Sequence, residues 1–198
     1  MKIGILALQG AFIEHAKLLS KIGVESIEVR LPEHLSQIDA LILPGGESTT
    51  IGKLMIDFEL FKPIQKFGEF KPIWGTCAGA ILLAKKTDKE QPLLGLMDIS
   101  IKRNAFGRQI DSFETQINMP IFNNQSSHAN PFNAVFIRAP LIEEAGPYIK
   151  ILSILKDGQI VAAQQKHLLA TSFHPELTND PRFHEYFISM INKNQAKA

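Results

Sequence analysis

A chain of 198 residues, 45% of them hydrophobic, is long enough to bury a substantial core and is read as one globular domain spanning 1–198. A formal charge of +1 with no basic block gives no case for nucleic acid or an anionic membrane, and no apolar run approaches the ~20 residues that span a bilayer. The only cysteine, Cys77, leaves no intramolecular disulfide and points to a reducing cytoplasm.

The opening residues are read as a strand, Lys2 to Leu8, rather than a signal sequence, because the run is continuous, apolar and short. It ends at Gln9-Gly10. Ala11 to Ile22 carries apolar residues at Phe12, Ala16, Leu19 and Ile22, a helical stripe closed by Gly23. Ser26 to Leu31 and Asp39 to Leu43 are further strands, the second running into Pro44-Gly45-Gly46-Glu47-Ser48-Thr49-Thr50. Helices are expected over Ile51 to Phe58 and Phe61 to Phe67, then a strand over Pro72 to Trp74 and a helix beyond Cys77. Strands alternating with helices imply a mostly parallel sheet with helices on both faces.

After Lys85 the pattern changes to short strands: Leu93 to Lys102, Phe113 to Asn118, Val135 to Ile137, Ile149 to Leu155 and Gln159 to Gln165. Asp157-Gly158 marks a hairpin, which adds an antiparallel extension to the sheet. Asn118 to Asn133 is polar, carries two prolines and reads as a surface loop. Leu168 to Phe173 is one more buried strand, ending at His174-Pro175-Glu176. Pro181 to Ile191 is an amphipathic helix with Phe183, Phe187 and Met190 on one side, and Asn192 to Ala198 is expected to fray.

Three segments carry chemistry. Gly75-Thr76-Cys77-Ala78-Gly79 is the thiol form of the Gly-x-Ser-x-Gly nucleophile elbow, where a strand turns sharply into a helix and small flanking residues avoid a clash. A cysteine there meets the unpaired N–H groups and dipole of the helix N-terminus, which favour thiolate. The alternative for a lone cysteine is a small buried hydrophobe. In His174-Pro175-Glu176 an extended backbone would point residues i and i+2 to one side, so a carboxylate can fix the imidazole tautomer while the other ring nitrogen takes a proton from a thiol. Pro44-Gly45-Gly46-Glu47-Ser48-Thr49 offers backbone N–H groups close to a ligand, as an oxyanion hole needs; read more plainly, Ser48 or Thr49 caps the next helix. It lacks the spaced Gly-Lys-Ser/Thr of a phosphate loop, and no histidine pair at ligand spacing suggests a metal. His15 and His184 fit helix surfaces, while His34, His128 and His167 fall in expected loops.

Together these motifs resemble the class I (triad) glutamine amidotransferases, and more narrowly the glutaminase subunits of pyridoxal 5′-phosphate synthase. The narrower resemblance rests on Leu8-Gln9-Gly10-Ala11, the run Leu43 to Thr50, Arg103-Asn-Ala-Phe-Gly-Arg-Gln109, Asp111-Ser-Phe-Glu114, Phe136-Ile-Arg-Ala-Pro140 and Ser172 to Thr178. It implies a three-layer flavodoxin-like class I glutamine amidotransferase fold. It implies hydrolysis of L-glutamine to glutamate and ammonia by the triad Cys77, His174 and Glu176 through a glutamyl thioester. The backbone N–H groups of Gly46 and Ala78 would hold the oxyanion. Substrate contacts would lie at Gly46, Glu47, Ser48, Arg103, Ile137 and Arg138. Arg108, Asp111 and Glu114 belong to a family motif with no role derivable from the residues.

The resemblance further implies no cofactor and no metal. Its partner would be a β/α-barrel synthase subunit, in a large hetero-oligomer, which uses the ammonia to make pyridoxal 5′-phosphate. Neither nucleic acid nor membrane is expected as a partner. Competing readings are a glutaminase of another pathway such as histidine biosynthesis, a cysteine-elbow protein that shares the sheet without needing a His–Glu pair, and an inactive glutamine-binding scaffold.

Overall fold

The computed structural model describes residues 1–103, 112–125 and 131–196. In chain order it contains β1 (Lys2–Leu6), α1 (Phe12–Lys21), β2 (Glu25–Val29), β3 (Ala40–Leu43), α2 (Ser48–Asp57), α3 (Phe61–Gly68), β4 (Ile73–Thr76), α4 (Ala78–Leu83), β5 (Ala84–Thr87) and β6 (Met97–Lys102). There follow β7 (Ser112–Ile117), β8 (Phe132–Ile137), β9 (Leu141–Ala145), β10 (Lys150–Ile154), β11 (Ile160–Gln165), β12 (Leu168–Thr171) and α5 (Arg182–Gln195). Short 3-10 turns occupy Pro32–Gln37, Pro120–Gln125 and Pro175–Leu177.

A ten-stranded sheet runs β2-β1-β3-β4-β12-β11-β9-β6-β5, with β10 added to β11. The first five strands are mutually parallel; β11 pairs antiparallel with β12, β9 and β10, and β9 with β6. The strands β7 and β8 form a separate antiparallel hairpin. Alternation along the parallel strands feeds two cores. Leu6, Leu41, Leu43, Ile73 and Ala170 join Ile51, Met55, Ile64 and Leu82 on the face covered by α2, α3 and α4. Ile3, Ile5, Ala40, Ile42, Trp74 and Leu169 face the other way, into a core rich in aromatic rings from Phe132, Phe136, Phe173, Phe183 and Phe187. The inner parallel strands β1, β3, β4 and β12 are therefore buried on both sides, which is why they read as apolar runs, whereas the edge strand β2 leaves Glu25 and Glu28 exposed. The layered, mostly parallel architecture with an antiparallel extension matches the expectation from sequence.

The Asp157-Gly158 hairpin is present, with Leu155 N–H donating to Gln159 O at 2.8 Å and Gly158 N–H to Leu155 O at 2.9 Å. Several expectations need correction. The segment 118–133 is not simply a loop: Met119 is buried, Pro120–Gln125 is a 3-10 turn and Phe132 opens β8, while 126–130, including His128, lie outside the described residues. The strand expected from Leu93 starts only at Met97. The last helix continues to Gln195, so fraying does not begin at Asn192; residues 197–198 of that tail are outside the described residues. His15 and His184 are fully buried rather than on helix surfaces. His34 lies in the first 3-10 turn. His167 lies in a connecting turn as expected, the one before β12, with its Nε2 2.9 Å from Gly68 O. Two strands, β5 and β9, were not anticipated. Among the described residues, no helix is long and apolar enough to cross a membrane.

Candidate active site

The strand order 2-1-3-4 places a topological switch beside β1, and the chain segments leaving the carboxyl ends of β1, β3, β4 and β12 converge there. They bring Gln9, Gly46 to Ser48, Cys77 and His174 to one cavity of about 280 Å³, whose lining also includes Ala78, Ile81, Arg103, Ile137 and Arg138.

Cys77 sits between β4 and α4 with φ +48° and ψ −104°, in the left-handed region that non-glycine residues rarely occupy. Its N–H donates to Thr171 O at 2.8 Å, tying the elbow to β12. The flanking glycines are obligatory. A methyl group at Gly75 would overlap the backbone of Gly79, and one at Gly79 would overlap the Leu43 carbonyl on β3. Ala78 opens α4, so its N–H has no partner within the helix. Arg138, at the end of β8, has φ +43°, so two of the non-glycine residues with positive φ line the same cavity.

His174 and Glu176 are 7% and 5% exposed, and His174 Nδ1 lies 2.7 Å from Glu176 Oε1. The pair does not arise from extended backbone: Pro175–Leu177 is a 3-10 turn that folds the carboxylate back under the imidazole. Burial would push the His174 imidazole down, but hydrogen bonds to the Cys77 thiol and the Glu176 carboxylate, and the charges of both, outweigh it and push it up to about 10. The imidazolium is thus the favoured form beside the sulfur. Gly45 has no side chain because the His174 ring fills that space: an added Cβ would be 2.8 Å from its Nδ1 and 3.4 Å from Cys77 Cβ. Cys77 Sγ also lies 4.0 Å from the Ile137 carbonyl oxygen.

The loop after β3 is tied to the one after β1. Ala11 N–H donates to Gly45 O at 3.0 Å, and Glu47 N–H to Gln9 Oε1 at 2.8 Å. Gly10, at φ +103°, passes so close to Gly45 O that a side chain would collide with it. The cap of α2 is Glu47, not Ser48 or Thr49: its carboxylate accepts from Thr50 N–H at 2.7 Å, from Thr49 N–H, and from both threonine hydroxyls. Arg103 Nη2 donates to Glu47 Oε1 at 3.0 Å, and Arg103 Nη1 to Gln91 Oε1 at 2.9 Å, which also accepts from Ser48 Oγ at 2.9 Å.

Residues 5–193 match the SNO glutamine amidotransferase family. The chain belongs to that family. It is 57% identical to the pyridoxal 5′-phosphate synthase subunit PdxT of Herpetosiphon aurantiacus, over 96% of this chain and all of that one. It is 54% identical to the subunit of the same name from Pelotomaculum thermopropionicum, over 95% and 94% of the two chains. A crystal structure of a glutamine amidotransferase, 45% identical, superposes with a TM-score of 0.87 over 96% of this chain and 98% of that one.

In this member of the SNO family, every residue expected at the site lines the cavity except Glu176, which stands behind His174. The rest of the Arg103 motif, 104–109 with Arg108, and Asp111 fall outside the described residues. Glu114 accepts from Asn133 Nδ2 at 2.8 Å on the exposed face of the β7–β8 hairpin, and it is not among the residues lining the cavity. Sequence reasoning missed Ile81, Gln91 and the buried His15. Gln91 carries no local signal, since it enters only by reaching Ser48 and Arg103 from an irregular segment. His15 did carry one: it shares the i, i+3, i+4 stripe of Leu18 and Leu19.

Proposed function

We propose that Cys77 attacks the side-chain carboxamide of L-glutamine, that His174 carries the proton to the departing ammonia, and that Glu176 orients His174. The chain is a glutamine amidotransferase, the glutaminase subunit of a pyridoxal 5′-phosphate synthase. The observation that carries the mechanism is a buried imidazole bonded to a carboxylate at 2.7 Å and lining one cavity with a thiol held at a positive-φ elbow. That arrangement yields a nucleophilic sulfur and a proton donor for the leaving group from one ring.

Attack forms a tetrahedral oxyanion held by the N–H groups of Gly46 and Ala78; loss of ammonia leaves the glutamyl thioester, and water then releases glutamate. Arg103 meets the α-carboxylate of glutamine through its guanidinium. Glu47 and Ser48 offer acceptors to the α-amino group, and Ile137 and Arg138 form the outer wall. We read 1–198 as one glutaminase domain acting in the cytoplasm, where a single free thiol persists.

Free ammonia is mostly protonated at neutral pH, so it must be delivered to a second subunit before it escapes. The partner is a synthase subunit; we place that subunit in the β/α-barrel class and the pair in a large hetero-oligomer. The ties from Ala11 to Gly45 and from Gln9 to Glu47 mean that a partner touching the Gln9-Gly10 turn would move the oxyanion loop with it. Glutamate release measured with and without a purified synthase subunit tests this: strong stimulation by the partner, lost in Cys77→Ala, is expected. Full activity without the partner would move the chain to another amidotransferase role, and no activity under either condition would leave a glutamine-binding scaffold.

A further inference from the structure

Behind the triad lies a polar chain that the reaction as described does not use. Glu176 has a side chain with no exposure, and only its Oε1 is bonded to His174. The other oxygen, Oε2, has no hydrogen-bond partner among the described residues; His15 Nε2, also without exposure, lies 3.5 Å from it. His15 Nε2 is 3.3 Å from Thr76 Oγ1, in the strand that ends at the elbow. On its far side His15 Nδ1 lies 3.0 Å from His184 Nε2, from α5. Trp74 sets its ring against both imidazoles, at 5.5 Å from His15 and 4.8 Å from His184, and donates its own Nε1–H to Thr171 Oγ1 at 3.2 Å.

The tautomers follow from elimination. A bare His15 Nε2 could accept from the Thr76 hydroxyl but would turn the same lone pair toward a buried carboxylate oxygen 3.5 Å away, so the proton belongs on Nε2. Nδ1 is then an acceptor, and His184 must carry its proton on Nε2 to donate to it. This leaves His184 Nδ1 as a bare lone pair, and it is a buried atom with no hydrogen-bond partner. Burial, then the neighbouring His184 and His174, hold His15 well below the usual histidine range, and burial pushes His184 down to about 3. Both rings therefore stay neutral donors through the working pH range. The titratable groups facing this chain are His174, Glu176 and Cys77 on one side and His184 on the other.

We propose that His15 is a positioning residue of the reaction, donating to the free oxygen of Glu176 so that the carboxylate stays aimed at His174, and that His184 locks His15 in the required tautomer. This rests on the triad reading above. A buried carboxylate with one oxygen unsatisfied pays the full desolvation cost and is free to turn, whereas a second donor both stabilises its charge and fixes its plane.

The experiment compares His15→Leu with His15→Gln in the full chain, assayed for glutamate release with the synthase subunit present, with Cys77→Ala as control. Losing the donor in His15→Leu is expected to lower kcat by about 10- to 100-fold without a matching change in KM. It should also shift the acid limb of the kcat/KM profile, because the donor that holds the carboxylate against His174 is gone. Glutamine's side-chain N–H₂ reaches where Nε2 stood, so His15→Gln should recover most of both. His15→Leu with an unchanged kcat and acid limb, while Cys77→Ala is dead, would overturn this inference alone. An active Cys77→Ala would bring down the triad reading itself. Should His15→Leu fail to fold, nitrogen-15 NMR of the unaltered chain decides: protons on Nε2 of both His15 and His184 support the assignment, and a bare His15 Nε2 overturns it.

Discussion

The two halves of the site are built differently. Cys77, His174 and Glu176 are buried in the turns that leave the central strands β4 and β12, and each is held by backbone that the core fixes: the elbow by Thr171 O, Gly75 and Gly79, the imidazole by Gly45 and the 3-10 turn. The groups assigned to substrate lie at or beyond the ends of three separate strands, β3, β6 and β8, with Gly46 and Arg138 exposed and Ile137 39% exposed. Chemistry needs reacting atoms held within a fraction of an ångström, which a packed sheet supplies. Recognition of a small polar molecule is served by loops that a partner can complete. Damage to the packed half should therefore appear in stability and kcat together, and damage to the rim in KM.

The sharpest break in that contrast is Gly79→Ala. A methyl group there meets the Leu43 carbonyl, a backbone atom of a central strand that cannot yield as a side chain would. Overpacking of this kind should cost about 3 kcal/mol or more and abolish glutaminase activity, both read from urea unfolding and glutamate release. A stable, active Gly79→Ala protein would show that the elbow is not constrained as described. Next in size is Arg103→Ala. Its side chain, 15% exposed, bridges Glu47 and Gln91 at the rim through the guanidinium. Losing a charge-assisted contact to the glutamine carboxylate should raise KM by about 10- to 100-fold while kcat and the unfolding midpoint move little. An unchanged KM would remove Arg103 from the substrate.

What could be read from sequence divides along the same line. The elbow, the Pro44-Gly45-Gly46 turn and His174-Pro175-Glu176 are legible because a few adjacent residues dictate their own geometry. The central strands are legible because burial on both faces leaves unbroken apolar runs. By contrast β5 (Ala84–Thr87) and β9 (Leu141–Ala145) exist only through pairing, with β6 and, for β9, with β11, and their own residues include Lys85, Lys86, Glu143 and Glu144. The histidines mislead for a different reason. A stripe drawn through Phe12, Ala16 and Leu19 leaves His15 at its edge, whereas the helix buries His15, Leu18 and Leu19. In α5, His184 lies within the buried stripe of Phe183, Phe187 and Ile191, and a polar residue there signals a partner that local sequence cannot name.

The smallest expected effect joins the two halves. Glu47 caps α2, receives Arg103 and is tied through its own N–H to Gln9, so it connects rim to sheet. Partial burial would push its carboxyl up, but hydrogen bonds from Thr49 and Thr50 prevail and hold it down at about 2. A carboxyl depressed in the folded state contributes stability that is present above its unfolded value, near 4.5, and is lost as pH falls through about 2. With 44% of the side chain exposed, solvent screens much of that effect, so the expected cost of Glu47→Ala at neutral pH is that of a lost cap, about 1 kcal/mol. Denaturant unfolding of both proteins at pH 7 and again near pH 3 should show the gap narrowing in acid, as the carboxyl of the unfolded chain takes up a proton while the native one stays ionised. KM should rise several-fold because Arg103 loses its anchor. A stability gap that stays constant into acid would mean that Glu47 acts through packing rather than charge, and the electrostatic link between the α2 cap and the substrate arginine would fall with it.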